Sequence, residues 1–214
     1  MDWRLLQIVD GAFPSGGFAH SHGLEVTLHL RGVAQIETFV DEALWQAGRA
    51  SLPFVRSACE GHGETACLQD LDELFDATCT SHVANRASRA QGRAFASTCA
   101  RVFDLPSIGR HSTRGPAHHA PVFGAVFGAL GQDALDAQIA YLHATARGVL
   151  SAGVRLGLLG PIEAQQVLAE KSDRLGRILA SCMHIAPDDA AQTSPLVDLF
   201  GALHDRLDGR LFQS

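Results

Sequence analysis

Lysine is nearly missing from this 214-residue chain: Lys171 stands alone against sixteen arginines. Arginine pairs bidentately with carboxylates and suits protein interfaces better than lysine does. The formal charge is −6, so no bulk basic field exists to hold nucleic acid or an acidic membrane surface. No uncharged run reaches the roughly 18 to 20 residues of a membrane span, and no signal peptide precedes the irregular turn at Asp10. No Cys-x-x-Cys pair occurs among Cys59, Cys67, Cys79, Cys99 and Cys182, whose odd number points to reduced, buried thiols in a cytoplasmic protein. Gly-x-x-x-x-Gly-Lys-Ser/Thr is absent, so the chain is not itself a P-loop GTPase or ATPase. Gly-x-Ser-x-Gly and His-Glu-x-x-His are absent too, and no Ser, Cys or Lys stands beside an activating base in the sequence. No period-2 segment, internal repeat or low-complexity linker is found.

What is there reads as helix. Apolar content of 46% with 19% charged residues is that of a globular chain, and this length buries roughly 70% of the unfolded surface without staples. Ser21 to Leu30, closed by Gly32, is a short helix. Ile36, Phe39, Val40, Leu44 and Ala47 follow at helical spacing, then a helix opened by Pro53, then the Leu68, Leu71, Leu74, Phe75, Cys79 stripe. His82 to Phe103 is a longer helix of small residues and arginine, and 108–115 reads as loop. Pro116 to Leu130 carries Gly124 and Gly128 four apart, a spacing suited to close helix packing. Asp133 caps a helix reaching toward Leu159, apolar nearly all round from Ala146 and so expected to be the buried central one. Gly160-Pro161 ends it and opens the next, faced by Leu168, Leu175, Ile178, Leu179 and Cys182. Pro187 to Gln192 is a polar loop, and Leu196, Leu199, Phe200, Leu203 and Leu207 form the last stripe. The expectation is an all-α, single-domain helical bundle of about eight to ten helices over residues 1–214.

Four constellations could carry chemistry. His22, Glu25 and His29 fall at i, i+3 and i+7, one helix face with ligands suited to nickel or zinc, which His20 joins only if the chain is not helical there. Set against the metal site is a solvated or interface face. Arg86, Arg89 and Arg93 make a basic stripe, either solvated or a docking surface for an acidic partner. His118-His119 face differently on a helix, which favours capping or core polar roles. Arg147, Ser151 and Arg155 share a face, and buried arginines need carboxylates such as Asp198, Asp205 or Asp208.

The densest stretch is Asp10 to Glu25, where Phe13-Pro14 sets an extended entry and Gly16-Gly17 loosens the backbone. Phe13 through Ser21 with Gly23-Leu24-Glu25 resembles the signature of the UreF family of urease accessory proteins. The resemblance continues through Ser88-Arg89-Ala90-Gln91-Gly92, His118 with Pro121-Val122-Phe123-Gly124, Arg147-Gly148-Val149-Leu150-Ser151, Arg155-Leu156-Gly157 and Arg210-Leu211-Phe212-Gln213-Ser214. It implies a non-catalytic nickel-insertion chaperone with no tightly bound cofactor, nickel being handled transiently by a complex. The partners implied are a UreD/UreH-like accessory protein, a UreG-like GTPase and apo-urease, with homodimers inside the assembly. His22 stands at a position that varies in the family, so the His20, His22, Glu25, His29 metal set does not carry over. His119 stands where an aromatic or other residue is expected. On this reading Phe13, Pro14, Phe18, His20 and Glu25 face the GTPase or the nickel path. Arg86, Arg89 and Arg93 offer a second docking surface. Arg210, Leu211 and Phe212, in a tail (209–214) ordered by its partner, bind the UreD-like protein. The alternatives are a helical metal-dependent hydrolase using the histidine-rich N-terminal face, and a regulator of the partner's GTP hydrolysis.

Overall fold

A computed structural model describes residues 2–31 and 36–214. Among them the chain forms α1 (Trp3–Val9), α2 (Leu24–Arg31), α3 (Ile36–Ala50), α4 (Leu52–Glu60), α5 (Thr65–Thr78) and α6 (His82–Val102). The second half adds α7 (Pro106–Arg114), α8 (His119–Ala129), α9 (Ala134–Arg155), α10 (Pro161–Glu170), α11 (Ser172–Cys182) and α12 (Pro195–Ala202). Short 3-10 turns lie at Gly17–Ala19, Pro187–Asp189 and His204–Arg206, and no strand occurs among the described residues. The fold is all-α around one contiguous hydrophobic core. None of the described helices is long and apolar enough to cross a membrane.

The helices are shorter and more numerous than eight to ten for local reasons. The lead-in to the opening loop is itself helical, because the Asp2 carboxylate accepts the Arg4 N–H at 2.9 Å. Of residues 108–115, expected as loop, all but Gly115 belong to α7, which Pro106 opens: proline suits a first helical turn, where its missing N–H costs nothing. The 161–182 segment breaks at Lys171 into α10 and α11. The expected cap holds at Asp133, which accepts the Asp136 N–H at 2.8 Å, and Ser81 caps α6 by accepting the Ala84 N–H. α9 stops at Arg155, before the left-handed Gly157. The Gly32 stop and the Leu196 and Phe200 side chains lie outside the described residues.

The most buried helix is α8, not α9 as the apolar run from Ala146 suggests. Every residue of α8 from Ala120 to Gly128 is buried, whereas α9 leaves Leu135 and Ile139 exposed and Arg147, Ser151 and Arg155 half-buried. α4 packs on α8 more extensively than any other pair of helices packs, and the two glycines set the distance. A methyl group at Gly124 would fall 2.1 Å from the Val55 carbonyl oxygen, and one at Gly128 2.2 Å from that of Cys59. Those are backbone atoms, which cannot swing aside. The spacing read from the sequence thus marks a helix pair in near backbone contact. Gly124→Ala is expected to cost about 3 kcal/mol or more, the upper range of core overpacking. Urea unfolding checks it, with Ala125→Gly as a control that adds no volume.

Candidate functional site

The opening stretch is held down by its own aromatics. Phe13 is buried, edge-on to Phe95 and stacked on Phe103 at centroid distances of 6.1 and 6.2 Å. From there the chain turns through left-handed Gly16 and a 3-10 turn, with Pro14 exposed and Phe18 74% exposed. His22 and Gly23 both take positive φ, so α2 starts only at Leu24. This removes the metal face: His22 is not on the helix that carries Glu25 and His29. Glu25 points inward at 2% exposure, and the His29 ring Nδ1 lies 3.1 Å from the Glu25 carbonyl oxygen. Among the described residues no group of three or more His, Cys, Asp or Glu stands close enough to hold a metal ion.

Glu25 is taken up by the tail. Its Oε1 accepts the Leu211 N–H at 2.6 Å, its Oε2 accepts the Phe212 N–H at 3.3 Å, and His204 Nε2 lies 3.2 Å from Oε2. The tail then runs beside the opening turn: Gln213 N–H donates to the Ala19 carbonyl, and Ser21 N–H donates to the Ser214 carbonyl at 2.6 Å. The Ser21 hydroxyl donates to that same carbonyl, and His20 Nδ1 bonds the Ser214 hydroxyl at 2.6 Å. His20, 5% exposed, is therefore inside as well. A tail expected to wait for a partner has a docking groove within its own chain. Phe212 is 4% exposed, whereas Leu211, at 60%, and Arg210 face outward.

Arg155 joins the two segments. Its guanidinium carbon lies 3.8 Å from the Phe18 ring centroid and 4.1 Å from that of Phe212, a cation held between two aromatic faces. Neither Arg147 nor Arg155 reaches the carboxylates expected for them. Asp198 bonds Gln46, while Asp205 takes both Arg86 guanidinium nitrogens at 2.8 and 3.1 Å and also Arg210 at 3.2 Å. That cationic company holds the Asp205 carboxyl below the usual range. The basic stripe is thus partly neutralised at home: Arg86 by Asp205, Arg89 by Asp76 at 3.9 Å, leaving Arg93 exposed.

Sequence reasoning missed a second constellation. Asp72, fully buried, accepts the backbone N–H groups of Ala117 and His118 at 2.6 and 2.7 Å and contacts His111 Nε2 at 2.8 Å. His118 Nε2 meets Asp76 at 2.8 Å, and its Nδ1 meets the Ser88 hydroxyl at 3.1 Å. Ser88 thus stands beside a base in space, though not in sequence. Its oxygen also accepts the His119 N–H at 3.2 Å, the His118 ring is wholly buried, and Asp76 is already engaged by Asn85. The group ties α5 and α6 to the start of α8, where the first N–H groups have no helical partner. The signal was present: Asp72 lies four residues after Leu68 and three before Phe75, on the apolar face of α5. The thiols are quiet, burial pushing Cys59 and Cys99 up to about 12 and Cys79 to about 11.

Between the opening loop, α3, α6, α8 and α9 lies a cavity of about 520 Å³, lined by His20, His22, His119, Tyr141, Arg147 and Arg155 among others. His119 stands in an aromatic cluster with Phe95, Phe123 and Tyr141. Burial, with the neighbouring histidines, lowers His22 to about 4 and His119 to about 3.

Residues 30–171 match the UreF family model. The urease accessory protein F of Arabidopsis thaliana is 37% identical over 100% of this chain and 93% of its own length. The protein of that name from Oryza sativa subsp. japonica is 35% identical over 98% of this chain and 84% of its own. The urease accessory protein UreF of Cereibacter sphaeroides is 32% identical over 98% and 97%. This chain belongs to the UreF family. The blocks that carried the resemblance therefore lie in the core and the clasp: Gly124 against α4, His118 on Asp76, Arg155 between two rings, and the tail on Glu25.

Two outcomes follow from the geometry. Glu25→Ala leaves two tail N–H groups unpaired and should cost about 2–3 kcal/mol. Carboxypeptidase should then trim the chain's last residues faster than in the parent protein, and equal rates would detach Glu25 from the tail. Second, two of the cavity histidines, His22 and His119, have folded values well below their unfolded 6.5. As pH falls through 6.5 the unfolded state gains protons that the folded state refuses, so their contribution is complete above that pH and shrinks toward about pH 4. Thermal midpoints should drop across that window, and His119→Phe, which keeps the aromatic packing, should flatten the slope.

Proposed function

We propose that this chain is a non-catalytic scaffold of urease maturation. It would form a complex with a UreD/UreH-like accessory protein and recruit a UreG-like GTPase that carries nickel to apo-urease. Membership of the UreF family, matched along the whole chain, supports a role in urease maturation and is the observation that carries the reading. Nickel is then cargo of the assembly, and a cytoplasmic complex containing two copies of this chain is part of the proposal.

The clasp favours a particular contact surface. Phe18 and Leu211 are large, apolar and exposed, and their two segments are joined by the Gln213–Ala19 bond and by Arg155, which lies against both Phe18 and Phe212. Aromatic and arginine side chains are enriched at the centres of protein interfaces. Arg210 and Arg86, gathered on Asp205, extend the patch. Of the residues proposed for partner contact, Pro14, Phe18, Arg93, Arg210 and Leu211 are therefore offered outward. Phe13, His20, Glu25 and Phe212 support them from within.

The test uses cells expressing the whole urease cluster. Phe18→Asp and Leu211→Asp, both at exposed positions, should leave circular dichroism and thermal midpoint unchanged. Each should also reduce co-purification of the UreD-like or the GTPase partner at least about tenfold, as expected for a contact worth 1.4 kcal/mol or more. Unchanged recovery of both partners would place the interface elsewhere.

A further inference from the structure

One end of the cavity gathers cations that no carboxylate of the described residues pairs. Arg147 leaves its Nε buried and unpaired, and among the described residues it makes neither an ion pair nor a hydrogen bond. Its Nη1 rests over Gly11, 2.7 Å from where a methyl group on that residue would be. One turn along α9, the Ser151 hydroxyl lines the same wall, with no hydrogen bond to any described residue. His22 lies over Gly148 between them, its Nε2 3.1 Å from that residue's would-be methyl position, and its ring too has no hydrogen bond in the described chain. Arg155 follows two turns after Arg147, its own Nε buried and unpaired.

Carboxylates do not balance these groups. Asp198 is the one acidic residue among the described lining residues, and it is bonded to Gln46. Asp10, next to Gly11, is exposed and accepts the Ala12 N–H at 2.6 Å. Arg155 is lowered by burial alone, with no acidic group raising it again. A desolvated guanidinium with no counter-charge is unfavourable, and burying the pair together is what offsets the cost. A guanidinium, a hydroxyl and an imidazole converging on one wall are the donors that bind oxyanions, through charge-assisted bonds.

We propose that the opening-loop end of this cavity is a binding site for a small oxyanion of the phosphate or carboxylate class, held on Arg147 with Ser151 and His22 beside it. The proposal is independent of the accessory role, because it rests on the arginine, its unpaired donors and the cavity alone. The loop from Gly11 to Gly17 covers the site, so the anion would brace the segment that carries Phe18.

Equilibrium dialysis of the full chain against radiolabelled inorganic phosphate, and separately acetate, at constant ionic strength tests it. The parent protein should retain one equivalent of at least one of the two anions. Arg147→Met should lower that retention at least about tenfold, the loss expected on removing a charged hydrogen-bond donor. Gly11→Ala, whose methyl group would displace only the far end of the arginine side chain, should weaken retention while leaving the thermal midpoint without anion unchanged. Arg147→Lys should keep part of it. Retention of neither anion by the parent protein overturns the proposal, as does equal retention by the parent and by both the Arg147→Met and Gly11→Ala forms.

Discussion

The approach of α8 to α4 constrains the rest of the molecule. With the Val55 and Cys59 carbonyl oxygens standing where methyl groups on Gly124 and Gly128 would be, α8 is sheathed along its length. A buried helix satisfies its own middle but not its first turn, whose N–H groups need acceptors from outside. The start of α8 therefore requires a polar group in the core, and Asp72 supplies it with both carboxylate oxygens. A buried carboxylate in turn needs donors on every side, which brings in His111, and the His118 ring then needs Asp76 and Ser88. Gly92 completes the arrangement. A methyl group there would fall 2.0 Å from the Ala117 carbonyl oxygen, so α6 can lie against the same turn only with glycine at that point.

Helix type and most helix starts were legible because they depend on local chemistry. Ser81 and Asp133 cap by bonding residues three positions on, and the Gly124–Gly128 spacing is itself the contact. Relative burial was less legible. The run after Ala146 is apolar nearly all round, yet Arg147, Ser151 and Arg155 turn its face toward a cavity, and only the arrangement of neighbouring helices decides which apolar run is sheathed. Asp72 was readable in principle, as a carboxylate on an apolar stripe, but its donors are backbone groups 45 and 46 residues away that carry no mark in the sequence.

The opening stretch shows the same limit. Two histidines and a carboxylate near flexible glycines read as groups waiting for a metal or a partner. Positive φ at His22 and Gly23 breaks the helical register that would have aligned them, and the Glu25 carboxylate and the His20 ring are both engaged by a tail nearly the whole chain away. What remains outside is Phe18, stacked on Arg155, and Leu211 in the tail. The family blocks were recognisable at both ends of the chain, but nothing in either block states that they touch.

The clasp rests on two unlike interactions with one geometry. Glu25 binds tail backbone N–H groups, which any residue but proline could offer, whereas Arg155 binds a ring, which within the tail only Phe212 supplies. The first fixes where the chain runs and the second fixes which residue sits beneath Phe18. A cation between two aromatic faces contributes more as it is desolvated, so the stack strengthens when Phe18 is itself covered. Covering Phe18 by another protein would therefore tighten the tail's hold rather than loosen it. Conversely, a ligand that displaces the tail must present both N–H donors to Glu25 and a ring to Arg155. An extended peptide with an aromatic residue meets both demands; a helix, whose N–H groups are internally bonded beyond its first turn, does not.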